Sequence, residues 1–289
     1  MLPASLSNVL TSAGLDPHQS GDAIVVESAH FTLTFTWDEW LRAQATWVGE
    51  LSASDYVRSI VAINSAHDAR ATPKMMLDAP TGLTTVLKAD KGQLQAFAVE
   101  ALPIGDGLSE AQLAGFVAAA FDGAIDLTRE FHALYPERSP QERGSMLNIK
   151  LVDASPSQTV TPVRVANWFM DQGVEEVPYD AASGRISFEL GDTPVDVILD
   201  DPELLKIQAV VVADRDVEAT EVLHLCNRAN LDSDHSTIFM RSDGDDVDFV
   251  ATVAVPIRAG LNDFQLSQAL HDGVVGVVGQ VRAVINQLH

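Results

Sequence analysis

Several stretches of the chain alternate apolar and polar residues, the pattern of a β-strand that buries one face. The run Phe31–Trp37 reads Phe-Thr-Leu-Thr-Phe-Thr-Trp, so its large apolar side chains all project to one side. The same alternation occurs in the second half of the chain at Ile186–Leu190 and at Val195–Leu199. A third strand is predicted after these regions, around Ala45–Val48 and Ile207–Val212. Both halves are therefore predicted to contain a half-buried sheet.

Apolar residues with helical spacing predict a long helix near the end of each half. Ser109 and Asn262 are good helix N-caps, and each is followed three residues later by a glutamine, which completes a capping box. The apolar residues beyond each cap lie on one helical face, so both helices are expected to bury the same side. In the second half these residues are Leu266, Leu270, Val274, Val277, Val281, Val284 and Leu288, and 153 positions earlier stand Leu113, Val117, Phe121, Ala124, Thr128, Phe131 and Tyr135.

The two halves share an internal repeat. Pro103–Gly123 and Pro256–Gly276 align without a gap at an offset of 153 residues, and seven of the 21 positions are identical. The starts of the halves, Pro3–Gly14 and Pro162–Gly173, align at an offset of 159. Each start opens with proline and closes with glycine, as short helices do. The repeat predicts two copies of one domain.

Each copy is predicted to fold in the order α-β-β-β-α-β-β-α, an α+β fold in which helices pack against an antiparallel sheet. The central helices are expected at residues 54–67 and 216–230, and a β-hairpin follows each of them. The hairpin strands are Thr84–Lys88 with Leu94–Leu102 and Thr237–Arg241 with Val247–Val255, and the turns are Lys91-Gly92 and Asp243-Gly244. Residues 1–136 form the first copy, residues 137–160 a polar linker, and residues 161–289 the second copy.

One insertion distinguishes the first copy from the second. Asp68–Gly82 is about ten residues longer than its counterpart and is predicted to be an external loop, because Pro73 and Pro80 keep it out of the hairpin. Its centre holds the candidate partner-binding residues, Lys74, Met75 and Met76. Two interpretations remain open: either the methionines fold back over the sheet, or the loop contacts a partner or the second copy.

The charge of the chain restricts its partners. There are 18 lysines and arginines against 41 acidic residues, a formal net charge of −23. Nucleic acids and anionic membranes are therefore not expected as partners, because binding to either depends on basic side chains. The acidic field serves either solubility or the attraction of a basic partner.

The chain is expected to be cytoplasmic. No apolar run approaches the length of a membrane span, and no basic residue precedes an apolar stretch at the N-terminus, as a secretory signal would require. The single cysteine, Cys226, cannot form an internal disulfide, which fits a reducing compartment.

Motifs for catalysis or for a cofactor do not occur, and we expect no enzyme activity, cofactor or metal. Phosphate-binding, dinucleotide-binding, serine-hydrolase and zinc-protease motifs are all missing from the sequence. A possible cation site lies in the second copy, but it lacks the glycine spacing of a calcium loop, and alternation places several of its residues on a solvated strand face. Its residues are Asp232, Asp234 and His235, followed by Asp243, Asp245, Asp246 and Asp248. Gly105-Asp106-Gly107 precedes a helix, where anions can bind, but fits a plain turn better.

Three features of the second copy have a structural interpretation beside a functional one. Cys226 is interpreted as a buried thiol rather than a nucleophile. Asn227 and Asn230 are interpreted as residues that close a helix in the left-handed conformation rather than as ligand contacts. Glycines recur at residues 273, 276 and 279, which indicates close packing of the last helix against its own sheet or, alternatively, against another helix or subunit.

The second copy resembles the YbjN family of bacterial regulators. The resemblance rests on Leu223–Asn230, which reads LHLCNRAN, and on Val253–Leu270, which reads VAVPIRAGLNDFQLSQAL. It covers residues 161–289 and extends through the repeat to the first copy. The family's fold is similar to that of type III secretion chaperones, which are small acidic α+β dimers that hold extended segments of a partner.

The resemblance implies a non-catalytic regulatory or chaperone-like protein that binds an unknown protein partner. Two linked copies would then mimic such a dimer as an intramolecular pseudo-dimer, or the chain would form a homodimer. Two alternatives remain: a small-molecule sensor or enzyme with a pocket between the copies, and a structural oligomeric scaffold.

Overall fold

The protein is an α+β protein made of two compact units, Met1–Asp153 and Ala154–His289. Its structure is a computed structural model that describes residues 2–78, 93–139, 158–174, 177–213, 218–243 and 246–288. Each unit is an antiparallel sheet with α-helices packed on it, so the predicted α+β fold class is confirmed.

Within its described residues, the first unit contains three α-helices and seven strands. The helices are α1 (Leu2–Ser12), α2 (Tyr56–Ala69) and α3 (Glu110–Leu134). The strands are β1 (His18–Ser20), β2 (Ala23–Glu27), β3 (Phe31–Trp37), β4 (Trp40–Trp47), β5 (Leu51–Ser52), β6 (Lys74–Asp78) and β7 (Gln93–Pro103). They run in the order β1-β2-β3-β4-β7, and the long strand β7 also pairs with β5 and β6.

The second unit repeats this order of elements. Its helices are α4 (Pro162–Asp171), α5 (Ala219–Leu231) and α6 (Asp263–Gln287). Its strands are β8 (Tyr179–Asp180), β9 (Arg185–Leu190), β10 (Thr193–Ile198), β11 (Leu204–Ala213), β12 (Thr237–Asp243) and β13 (Asp246–Pro256). They form one sheet in the order β12-β13-β11-β10-β9-β8. The predicted order therefore recurs in both units, with the short strands β1, β5 and β8 added to it.

Each core lies between the sheet and the long C-terminal helix of its unit. In the first unit the alternating face of β3 meets α3, with ring centroids of Phe31 and Phe121 5.8 Å apart and those of Phe35 and Phe116 6.4 Å apart. In the second unit α6 packs so closely on β11 that a Cβ at Gly273 would collide with the side chain of Ile207. The interpretation of this glycine as packing against its own sheet is confirmed. At Gly279, a Cβ would have no described atom within 4 Å apart from the nearby backbone of its own helix.

Both predicted capping boxes are confirmed. The hydroxyl of Ser109 accepts the amide proton of Gln112 (3.2 Å from N to Oγ), and the Gln112 side chain accepts from the Ser109 amide (2.9 Å). Asn262 and Gln265 make the same pair of bonds at 2.8 and 2.9 Å. Both glutamines are buried, so each box fixes the first turn of a long helix against its core.

Removing one cap should weaken only the unit that contains it. We expect Ser109→Ala to lower the free energy of unfolding of the first unit by about 1 kcal/mol, the usual cost of losing an N-cap side chain. Urea unfolding with hydrogen exchange of peptides from each unit measures this change. Exchange that stays unchanged in α3 would show that the cap contributes nothing to stability.

The prediction that Asp68–Gly82 is an external loop is wrong. Lys74–Asp78 is strand β6, which pairs with β7 from Lys74↔Val99 to Asp78↔Gln95. Pro73 does not prevent this pairing, because it precedes the strand and occupies no ladder position. The predicted hairpin strand Thr84–Lys88 lies outside the described residues.

The extra length of the first unit therefore lies within the hairpin, not before it. The connection from α2 to β6 has four residues and that from α5 to β12 has five. In contrast, 14 residues join β6 to β7, whereas two join β12 to β13. Strand β6 is thus the counterpart of β12.

The ends of the predicted linker pack on the units that they adjoin. Arg138 forms an ion pair with Asp55 in the first unit. Val160 is buried, and the carbonyl of Gln158 accepts a hydrogen bond from the amide of Leu261 in the second unit (3.0 Å). Among the described residues, no helix is long and apolar enough to cross a membrane.

Candidate functional site

The junction between α2 and β6 holds the three residues that the sequence offers as partner contacts. Lys74, Met75 and Met76 are only 5%, 1% and 7% exposed. They belong to β6, which pairs with β7 alone among the described strands and lies beside α2. The interpretation that the methionines fold back over the sheet from a loop is wrong, because they are residues of one of its strands. A contact of these side chains with a partner stays an untested prediction, and it would require β6 to leave the sheet.

His67 connects the end of α2 to β6. Its Nε2 accepts the amide proton of Met75, with 2.9 Å between the two nitrogens. Burial and the charge of Lys74 lower the pKa of His67 to about 3. The imidazole is therefore neutral at physiological pH, and it acts as a hydrogen-bond acceptor that fixes the first residues of the strand.

Asn230 performs the same task in the second unit. Its Oδ1 accepts from the amide of Ile238 (2.7 Å) and its Nδ2 donates to the Ile238 carbonyl (2.9 Å), which fixes the start of β12. Gln280 of α6 reinforces the junction by donating to the carbonyls of Ala229 (3.1 Å) and Ser236 (3.2 Å). Among the described residues, none except glycine adopts the left-handed conformation, so the predicted left-handed closure by Asn227 and Asn230 is wrong. Asn230 has a structural role of a different kind.

A glycine of the long helix lies against each junction. A Cβ on Gly123 of α3 would come within 3.0 Å of Pro73, the residue before β6. A Cβ on Gly276 of α6 would lie 3.4 Å from Ser236, the residue before β12. These two glycines correspond in the repeat, so the same close approach occurs in both units.

The first unit buries a carboxyl group that the sequence interpretation missed. Glu100 of β7 faces α3, is 6% exposed, and has its Oε1 3.6 Å from the position that a Cβ on Gly123 would occupy. Burial and the charge of Asp122 raise the pKa of Glu100 to about 8. The alternation Leu94, Ala96, Ala98, Glu100, Leu102 is the signal that could have revealed it, because it places the acid on the apolar face.

Asp122 of α3 lies near this carboxyl group, and further acidic residues follow it along the helix. Arg70 forms ion pairs with Asp126 (2.5 Å) and Glu130 (2.6 Å) of the same helix. Burial and the nearby Asp126 raise the pKa of Asp122. The second unit has Val253 and Val275 at the positions of Glu100 and Asp122, so the buried acid is a feature of the first unit and not a requirement of the fold.

The remaining candidates have structural surroundings. Gly105-Asp106-Gly107 is a turn closed by a hydrogen bond from the Gly107 amide to the Ile104 carbonyl (3.0 Å), which agrees with its interpretation as a plain turn. Asp248 pairs with Arg241 at 2.8 Å on the β12–β13 hairpin. Within the described ranges no three His, Cys, Asp or Glu side chains form a group that could hold a metal ion.

Cys226 is a buried thiol, as interpreted from the sequence. Burial raises its pKa to about 12, so the reactive thiolate is scarce at neutral pH.

We expect a thiol reagent such as Ellman's reagent to label Cys226 of the native chain at neutral pH at least about 100-fold more slowly than that of the urea-unfolded chain, since attack requires opening of the core. Equal labelling rates would contradict this assignment.

Comparison with known proteins places the second unit beside one family. Residues 161–274, which run from α4 into α6, match the sequence model of the YbjN family, described as "Putative bacterial sensory transduction regulator". The match supports a regulatory role.

One solved structure with a similar chain is the crystal structure of YbjN from E. coli, described as a putative transcription regulator. It has 15% sequence identity and a TM-score of 0.38, and the alignment covers 46% of this chain and 92% of that one. No curated protein matches the sequence.

Proposed function

We propose that the chain is a non-catalytic regulatory or chaperone-like protein that acts by binding another protein. The observation that carries this proposal is the match of residues 161–274 to a family of regulators. The chemistry of the perturbed groups agrees with it. Burial holds Glu100 protonated, His67 neutral and Cys226 as a thiol, so each is fixed in an unreactive form.

The proposal includes a first unit that is a second YbjN-like copy. Three kinds of feature support this duplication: the same order of elements, the same capping boxes at an offset of 153, and the same junction between central helix and next strand. His67 and Asn230 are 163 residues apart, and the strands that they fix, β6 and β12, are offset by the same number. The offset changes from 163 at these junctions to 153 at the capping boxes because the connection between the two hairpin strands is longer in the first unit than in the second.

The test is chemical cross-linking of the full chain in native lysate of its source, followed by affinity capture and mass spectrometry. We expect one protein to be captured at near-stoichiometric amount and to rebind as a purified component. A copurifying small molecule would favour the sensor or enzyme alternative. Self-cross-links alone, with a defined oligomer in light scattering, would favour the scaffold. Either result would overturn the proposal.

A further inference from the structure

The second unit has an apolar face where two helices lie side by side. Arg164 of α4 donates to Asp263 of α6 (2.7 Å) and to the Leu261 carbonyl (3.0 Å). Four residues further along both helices, the Trp168 indole N–H donates to the Ser267 hydroxyl (2.9 Å). The second contact lies four residues later on both helices, so the two chains advance in the same direction. Helix α4 therefore runs parallel to the first turns of α6.

Helical geometry turns several large apolar side chains to one side of this pair. Each residue of an α-helix is rotated by about 100° from the one before it. In parallel helices, the residue before Arg164 and the residue after Asp263 therefore point to the same side. Other residues on the same side of each helix recur at the helical period. The apolar members are Val163, Met170, Phe264 and Val275, each at least half exposed, and we call them the α4–α6 face.

The fold does not require apolar residues on this face. The corresponding positions of the first unit, at the offsets of the two aligned segments, are Ala4, Thr11, Ala111 and Asp122. The first unit therefore has the same order of helices and strands with small or polar residues at these positions. Four large apolar side chains kept in water in one unit only are typical of an interaction surface.

The charge around the face indicates the kind of partner. The positive charge of Arg164 is taken up within the unit, by Asp263 and by the carbonyls of Thr159 (2.8 Å) and Leu261. Asp171, which follows Met170, is exposed, and so is most of Asp263. Residues 161–289 carry 22 acidic and 8 basic residues, so a basic partner is attracted by the whole unit. A second copy of this chain would bring a further −23 charges and be repelled.

We propose that the α4–α6 face binds a basic amphipathic segment of a partner protein, whose apolar side covers Val163, Met170 and Phe264 while its lysines and arginines meet the acidic surroundings. This inference rests on the proposed protein-binding function and adds the surface and the chemistry of the partner. Methionine and phenylalanine suit such a contact, because they offer a large adaptable area to a helix or extended segment.

The test uses a defined probe. A fluorescein-labelled 18-residue peptide with leucines on one helical face and lysines on the other is titrated with the full chain and followed by fluorescence anisotropy. A second peptide carries glutamate in place of lysine. We expect binding of the lysine peptide only, and weaker binding at 0.5 M salt, because charge attraction is screened.

Variants locate the binding site. We expect Met170→Ser with Phe264→Ser to weaken binding of the lysine peptide by at least about tenfold, as the loss of two central apolar anchors does. The matched control is Val61→Ser with Val212→Ser, which removes two similarly exposed apolar side chains from α2 and β11. The control should change the dissociation constant by less than about twofold. Circular dichroism melts establish that both variants are folded.

Three results would overturn the proposal: equal effects of the two double variants, equal binding of the two peptides, or no binding of the lysine peptide by the native chain. A native dimer in light scattering that Phe264→Ser converts to a monomer would overturn it too, by making the face a self-interface. Failure of the face is distinguishable from failure of the proposed function. If native chain and Met170→Ser/Phe264→Ser capture the same cross-linked protein equally well, the function stands and the face does not.

Discussion

Replacing Glu100 with glutamine is expected to raise the free energy of unfolding of the first unit by about 3–5 kcal/mol at pH 8, and to leave it nearly unchanged at pH 4. The carboxyl group has a pKa of about 8 in the folded chain, against an ordinary value of 4.5. Between these two pH values the folded chain holds a proton that the unfolded chain has released. The unit must therefore lose stability as the pH rises from 4.5 to 8, by about 1.4 kcal/mol per pH unit. Glutamine has the same shape and no charge to bury.

His67 changes the stability of the first unit with pH in the opposite direction, so its contribution must be separated from that of Glu100. Its pKa is about 3 in the folded chain and 6.5 ordinarily, so it costs stability as the pH falls below 6.5. Subtracting the unfolding free energies of the parent and of Glu100→Gln at each pH cancels the contribution of His67. The difference should grow from pH 4.5 to pH 8 and then stay level.

Urea unfolding between pH 4 and 9, followed by hydrogen exchange of peptides from each unit, measures the effect. Peptides of the second unit provide an internal reference, and Glu27→Gln, at an exposed position of β2, is the matched control. If the difference in unfolding free energy between the parent and Glu100→Gln is constant across the pH range, Glu100 is ionised in the folded chain at neutral pH. That result would contradict the assignment.

Asn230→Ala is expected to destabilise the second unit by about 2–4 kcal/mol, because the Ile238 N–H and C=O would be left buried without the partners that the amide side chain provides. The measurement is again urea unfolding with exchange resolved by unit. Asn167→Ala, at an exposed position of α4, is the control and should change stability by less than about 0.5 kcal/mol.

The first unit offers a reciprocal version of this experiment. His67→Asn introduces the side chain that the second unit uses at the corresponding position, whereas His67→Ala removes the acceptor of the Met75 amide. We expect asparagine to retain most of the stability that alanine loses. If the two variants were equally unstable, the junctions of the two units would not be equivalent, and the proposed duplication would lose one of its supports.

Patterns of local origin were predictable from the sequence. Strand β3 occupies the residues that its alternation marks, Phe31–Trp37, since a half-buried strand is defined by its own side chains. The caps at Ser109 and Asn262 are equally local, because each box needs only a side chain and a glutamine three residues later. Strand β4 begins at Trp40, five residues before the predicted Ala45, where the apolar alternation is less regular.

What depends on distant parts of the chain was not predictable. Strand β6 has the sequence Lys-Met-Met-Leu-Asp, which has no alternation and follows a proline, so only its pairing with β7 makes it a strand. The short strands β1, β5 and β8 depend on their neighbours in the same way. Glu100 shows a further limit: its place on the apolar face is visible in the sequence, but its burial depends on α3 lying above it.

The interactions of Arg164 determine where the second unit begins. The family match starts at residue 161, yet the guanidinium donates to the Thr159 carbonyl, and the Gln158 carbonyl accepts from the Leu261 amide. A truncated chain that begins at Thr161 would lack both carbonyls, together with buried Val160. The Leu261 amide, just before α6, and the Arg164 guanidinium, on α4, would each lose an acceptor. The boundary of sequence similarity therefore falls inside the folded body. A fragment meant to fold by itself has to include Gln158.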